Sequence, residues 1–151
     1  MRLFRARAGG IEVSLTPEMR MFLGDVLPML AAIGDSKDDP AAQRLQVPVY
    51  LDDTDSNEEW WRLMGPDLDA ARRADRRVFK RVVESEEPLT LSDDEADAFL
   101  RVLNESRLAL GARMGVEVEA DYEELSEGSR TVLAYLGAIL EELTDELSDR
   151  L

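Results

Sequence analysis

Basic residues are concentrated in one short segment of an otherwise acidic chain. Six of the 18 Lys and Arg residues lie within the ten positions 72 to 81, although the 151-residue chain has a formal net charge of −15. On a helical wheel they form one continuous half, and apolar residues form the other. The six are Arg72, Arg73, Arg76, Arg77, Lys80 and Arg81. Such a basic stripe could follow nucleic-acid phosphates or dock an acidic segment of a partner protein.

A third interpretation of the basic stripe is a solvated helix face that pairs with the chain's own surplus of acids. This is the usual role of surface charge, and no aromatic residue or glycine loop interleaves the stripe to stack bases. The negative field of the whole chain also disfavours nucleic acid without excluding it. All three interpretations stay open, and each predicts a basic half that points away from the core.

Two charged residues fall on apolar helix faces. Asp75 lies within the apolar half of the helix that carries the stripe, and Arg107 is centred among apolar residues of the next helix. An unpaired buried charge is very costly. We therefore predict that Asp75, Asn104 and Arg107 form one partly buried polar cluster. The alternative is that Arg107 binds the carboxylate of a ligand.

The residue types needed for most catalytic sites are missing. The chain has no His and no Cys, which removes Ser-His and Cys-His nucleophile systems. Asp53, Asp55 and Asn57 have the spacing of the first calcium-loop ligands. However, Glu58 stands where glycine is required, and Met64 where a bidentate Glu belongs. No phosphate-binding glycine motif occurs. We expect no catalytic, cofactor or metal site and therefore no enzyme.

The adjacent pair Trp60-Trp61 could serve the core or a contact surface. Neighbouring helical residues point about 100° apart, so both cannot face the same place equally. We expect one indole to fill the core and the other to lie nearer the surface. An exposed Trp would be a good anchor for a protein partner.

The elements that position these residues can be predicted from capping and periodicity. Residues 2–15 indicate a β-hairpin with Gly9-Gly10 as its turn. Apolar spacing predicts five helices, at about 16–33, 57–64, 66–84, 92–114 and 127–148. Pro28 should kink or split the first helix. Ser92 and Glu95 form a capping box ahead of the fourth helix. The prediction is a mainly α fold, a bundle of about five helices with an N-terminal two-stranded β-hairpin, in a single domain over 1–151.

Residues 91–116, LSDDEADAFLRVLNESRLALGARMGV, resemble an actinobacterial domain-of-unknown-function family, catalogued as family 2017. Its members share a Leu-Asn-Asp/Glu-x-Arg-Leu-x-Leu-Gly-x-Arg-like helix. The matching residues are Leu103, Asn104, Glu105, Arg107, Leu108, Leu110, Gly111 and Arg113. The resemblance implies little about activity. Most members are uncharacterised, and some are described as oxidative-stress transcriptional regulators that act through partner proteins. Members that sense oxidants use cysteines, so a thiol switch cannot be carried over to this chain.

Together these observations predict a non-enzymatic regulatory or adaptor protein that acts through protein–protein contacts. The alternative is a DNA-binding transcriptional regulator that uses the basic stripe. A homodimer would be compatible with either role. The N-terminus lacks the apolar core of a signal peptide, and no apolar stretch approaches the ~20 residues of a membrane span. We therefore expect a cytoplasmic protein without a membrane partner.

Overall fold

The computed structural model describes residues 2–35, 38–45 and 53–150 and is mainly helical, as predicted. Within those ranges no helix is both long enough and apolar enough to cross a membrane. The strands are β1 (Phe4–Arg7), β2 (Gly10–Val13) and β3 (Leu89–Leu91). The helices are α1 (Pro17–Gly24), α2 (Val26–Ala31), α3 (Pro40–Leu45), α4 (Thr54–Glu84), α5 (Asp93–Arg113), α6 (Glu119–Glu123) and α7 (Glu127–Ser148).

The predicted hairpin is confirmed, but it is part of a three-stranded antiparallel sheet in the order β1-β2-β3. Arg7 pairs with Gly10, so the turn consists of Ala8 and Gly9 rather than Gly9 and Gly10. Gly10 has a φ of +143°, and a Cβ there would lie 1.8 Å from the carbonyl oxygen of Leu91. Gly10 is therefore required where β3 approaches β2, an approach that the hairpin pattern alone does not reveal.

The first predicted helix is split, as expected from Pro28. Thr16 caps α1, where its side-chain oxygen accepts a hydrogen bond of 3.1 Å from the Met19 amide. The break falls at Asp25, between α1 and α2. Pro28 has no N–H to donate to the Gly24 carbonyl, and its ring crowds that carbonyl. The helix is therefore interrupted there, and α2 begins at Val26.

The prediction of separate helices at 57–64 and 66–84 is wrong, because α4 is one 31-residue helix with Pro66 inside it. Pro66 removes a single hydrogen bond, the one to the carbonyl of Arg62. Both residues are exposed, so solvent can satisfy the freed carbonyl. Asp53 caps the start of the helix, because its side chain accepts a 3.0 Å hydrogen bond from the Ser56 amide.

The core lies between the inner face of the sheet and helices α1, α2, α5, α7 and the C-terminal part of α4. The predicted capping box at Ser92 and Glu95 is present at the start of α5. Phe99 of α5 is central, because its ring stacks on Phe79 at 4.7 Å and meets Phe4 edge-on at 6.0 Å. The short helix α6 was not among the five predicted.

The outer edge of the sheet is closed by carboxylates of α7. Glu142 accepts a 3.1 Å hydrogen bond from the Leu3 amide. Glu146 accepts one of the same length from the Ala6 amide and also pairs with Arg2. Glu146 is only 5% exposed. Glu142 also accepts a 3.2 Å hydrogen bond from the Phe4 amide. The two carboxylates therefore satisfy amides of β1 that an edge strand would otherwise present to a neighbouring chain.

Candidate docking groove

A groove of about 1040 Å³ lies between α2, α3 and the basic face of α4, and we call it the α2–α4 groove. Its walls combine apolar residues of α2 and α3 with cations of α4. Among the described residues, Asp69 is its one acidic lining residue. The lining residues are Leu27, Pro28, Leu30, Ala31, Ile33, Gly34, Ala42, Leu45, Asp69, Arg72, Arg73, Arg76, Arg77 and Lys80.

Two arginines of the basic stripe are built into the wall of this groove. The Arg72 Nε lies 3.7 Å, and an Arg76 terminal nitrogen 3.3 Å, from carboxylate oxygens of Glu105 on α5. Their side chains are 25% and 23% exposed. Arg72 also donates to the Leu45 carbonyl at 3.2 Å. The prediction that the whole stripe points away from the core is therefore wrong for these two, because their long stems cross the groove wall to reach Glu105.

Two other arginines of the stripe are free. Arg73 and Arg77 are exposed, and within residues 2–35, 38–45 and 53–150 neither has a hydrogen-bond or ion-pair partner for its side chain. Lys80 lies 3.8 Å from Glu84 on the same helix, and both side chains are more than half exposed. Arg81 pairs with Glu95, outside the groove. The stripe is thus divided between structural cations and cations that remain available at the groove.

The α3 wall of the groove is fixed by an ion pair that the sequence analysis did not identify. Arg113, at the end of α5, donates to both carboxylate oxygens of Asp39, at 2.8 and 3.2 Å. Asp39 also accepts from the amides of Gly34 and Ala41, at 3.1 and 3.0 Å. The Arg113 hydrogen bond, then that of Gly34, holds the pKa of Asp39 well below its usual range. The signal was present in the Asp39-Pro40 pair, a residue type that caps helices followed by a first-turn proline.

The predicted cluster of Asp75, Asn104 and Arg107 is wrong. Asp75 is buried, but its partner is Arg101, which donates to both carboxylate oxygens at 2.8 and 2.9 Å. These hydrogen bonds raise the pKa of Arg101. Asn104 and Arg107 are exposed. The reason is that α5 meets α4 through the side of the helix that carries Arg101 and Glu105, whereas Arg107 faces elsewhere.

Arg107 instead lines a second cavity, of about 470 Å³, together with Arg44 and Tyr122. Glu117 and Glu119 line the same cavity, so cations and anions are balanced there. The hypothesis that Arg107 binds a ligand carboxylate stays a prediction.

The expectation that one of the two tryptophans fills the core is wrong. Trp60 and Trp61 are both half-buried, and their rings meet edge-on with centroids 4.9 Å apart. In α4, the buried residues begin only at Asp75. Among the described residues, the N-terminal part of this long helix therefore enters no core, and the indoles shield each other instead. Their role as a partner anchor stays a prediction.

The acidic segment compared with a calcium loop has a structural role at Asp53. Its carboxylate accepts from the Ser56 amide and, at 2.7 Å, from the Ser56 hydroxyl. These bonds lower the pKa of Asp53. Within the described ranges, no group of three or more Asp or Glu residues is placed to hold a metal ion.

Comparison with known proteins identifies the family. Residues 1–147 match the model of the family named Domain of unknown function (DUF2017), so the chain belongs to this family, and the resemblance inferred from residues 91–116 is confirmed. No curated protein and no solved structure matches the chain. Within the matching helix, Glu105 and Arg113 anchor α4 and α3, so these two motif positions help to form the α2–α4 groove.

Proposed function

We propose that this member of the DUF2017 family is a non-enzymatic regulatory or adaptor protein that acts through protein–protein contacts, with the α2–α4 groove as its docking site. The observation that supports this proposal is the placement of Arg73 and Arg77. Among the residues that the structure describes, neither side chain has a partner, and both lie beside an apolar wall in a chain with 33 acidic and 18 basic residues.

The two arginines of the stripe without a described partner differ from their neighbours on the same helix. Arg72, Arg76 and Arg81 each pair with a Glu of α5. Arg73 and Arg77, on the same helix, do not, although they are one turn apart and lie between paired neighbours. A cation that has no internal partner keeps its attraction for an external one.

The apolar wall next to these cations favours a protein as the partner. Leu27, Ile33 and Leu45 line the groove, and burying such side chains supplies the main driving force of protein association. A protein segment can satisfy both the apolar wall and the cations. Nucleic acid would use the cations and leave the apolar wall without a matching surface.

The test is capture from native lysate with the wild type, with Arg73→Glu/Arg77→Glu, and with a control of equal charge change, Arg5→Glu/Arg130→Glu. The control residues are exposed and lie outside the groove. We expect a protein that is captured by the wild type and the control but lost with the groove variant. Its binding should then be reproduced with the two purified proteins.

Two results would contradict the proposal. Equal capture by all three forms would show that the groove does not bind the partner. Loss of capture after nuclease treatment would assign the basic stripe to nucleic acid.

A further inference from the structure

We infer that the segment docking in the α2–α4 groove is an acidic amphipathic α-helix, with carboxylates toward Arg73, Arg77 and Lys80 and apolar side chains toward α2 and α3. This inference rests on the proposed function and specifies the chemistry of the partner. It draws on the composition of the groove walls, the size of the groove and the spacing of its cations.

The groove walls favour a helical occupant. The described lining residues come from α2, α3 and α4 and from the turn after α2, and no β-strand contributes to them. An extended peptide would find no strand edge to pair with, and its backbone amides and carbonyls would be desolvated against apolar side chains at a high cost. A helix satisfies its own backbone hydrogen bonds and presents side chains alone.

The size of the groove fits a short helical segment. Two turns of a helix about 10 Å wide and about 10 Å long occupy roughly 800 Å³. The groove has a volume of about 1040 Å³. Two turns present two or three apolar residues on one stripe, enough to cover the wall formed by Leu27, Ala31 and Ile33.

The exposed cations repeat at helical spacing. Arg73, Arg77 and Lys80 stand at positions i, i+4 and i+7, so their Cα atoms are about 6 and 10.5 Å along the axis from the first. Acids at i, i+4 and i+7 of a second helix would have the same spacing. Glu105 holds Arg72 and Arg76 in the wall, so the stripe cations that remain available to a second helix at the groove are Arg73, Arg77 and Lys80.

Because the whole chain is acidic, an acidic peptide is a stringent test of binding at the groove. At a net charge of −15, the protein repels an acidic peptide at long range. Binding of such a peptide must therefore come from local contacts with the groove. A basic peptide would bind the acidic surface without testing the groove at all.

The test uses a fluorescent 14-residue peptide of Leu, Ala and Glu, with Leu and Glu on adjacent helical stripes, and measures its binding to the full chain by anisotropy. One control peptide has the same composition in shuffled order, and a second carries Pro at its centre. The protein forms are the wild type, Arg73→Glu/Arg77→Glu and the control Arg5→Glu/Arg130→Glu. Circular dichroism of each form verifies folding.

We expect saturable binding to the wild type and to the control variant, with affinities within about twofold of each other. Charge reversal at Arg73 and Arg77 should weaken binding on the order of tenfold, since it replaces two attractions by two repulsions. The shuffled and Pro-containing peptides should weaken by a similar factor or more, because each destroys the helical stripe.

Several results would overturn the inference. Absence of binding, or equal binding of the shuffled peptide, would exclude an acidic amphipathic helix. Unchanged affinity of the Pro-containing peptide would indicate an extended occupant. A concentration-dependent dimer that Arg73→Glu/Arg77→Glu abolishes would assign the groove to a second copy of this chain. If lysate capture still depends on Arg73 and Arg77 in these cases, the proposed function survives and the acidic helix alone fails.

Discussion

Among the described residues, several charged side chains have partners at the sheet end of the molecule, whereas two arginines at the α2–α4 groove do not. At the sheet, Glu142 and Glu146 of α7 accept hydrogen bonds from the β1 amides of Phe4 and Ala6, and Arg150 binds both Asp93 and the carbonyl of Gly10. At the groove, Arg73 and Arg77 are exposed and, within the described ranges, their side chains have no partner. The sheet end uses charge to close a structure, whereas the groove leaves charge accessible.

The charged residues at the sheet therefore contribute to folding stability, whereas those at the groove are available for binding. A carboxylate that satisfies a buried amide cannot be removed without leaving that amide unpaired, which costs free energy of unfolding. An exposed cation without a partner contributes little to the free energy of unfolding and is available to bind another molecule. The two regions should therefore respond differently to substitution, and three predictions test this contrast.

The largest effect is expected at the sheet, from Gly10→Ala. The new Cβ would overlap the Leu91 carbonyl, and the φ of +143° is one that Ala rarely adopts. We expect a loss of about 4 kcal/mol or more in the free energy of unfolding, measured by urea denaturation.

Gly9→Ala is the matched control, because a Cβ at Gly9 meets nothing within 4 Å. It should change stability by no more than about 0.5 kcal/mol. Equal effects of the two substitutions would contradict the close approach of β3 to Gly10.

An intermediate effect, visible as a pH dependence, is expected for Asp39→Asn at the anchor of the groove wall. The pKa of Asp39 is lowered from 3.8 in the folded protein. Its ionised form therefore stabilises the fold above about pH 4, and this contribution is lost as the pH falls below that value toward the folded pKa. We expect the wild type to be more stable than Asp39→Asn at pH 7 and the difference to shrink at pH 3, measured by urea denaturation at both values.

The control for this prediction is Asp38→Asn, because Asp38 is the exposed neighbour of the buried Asp39. Its difference from the wild type should be small at both pH values. A difference for Asp39→Asn that stays constant from pH 7 to pH 3 would argue against the ion pair with Arg113.

The smallest effect on stability is expected within the basic stripe itself. Arg72→Ala/Arg76→Ala leaves Glu105, 13% exposed, without its two partners and should cost about 1–3 kcal/mol. Arg73→Ala/Arg77→Ala removes no described contact and should stay within about 0.5 kcal/mol of the wild type. Thermal unfolding of both double variants measures the contrast, and equal destabilisation would remove the distinction between structural and free cations.

Local signals predicted much of this fold correctly. The Thr16 cap, the capping box of Ser92 and Glu95, and the break near Pro28 depend on contacts within a few residues, so the sequence contains all the information needed. The third strand was missed because three residues after a long helix carry too short a pattern to recognise. The predicted helix break before Pro66 was wrong because Pro66 is exposed in α4, where solvent can satisfy the carbonyl that it frees.

The sequence by itself determined the helical class, the amphipathic character of α4 and the location of its six cations. Only the tertiary structure decided which of those cations are free, since Glu105 lies 29 residues from Arg76 and no local rule connects them. The same holds for Asp39 and Arg113, which are 74 residues apart, and for the pairing of Asp75 with Arg101. Periodicity fixes the face of a helix on which a side chain lies, whereas the packing of α5 against α3 and α4 fixes which charges meet across the interface.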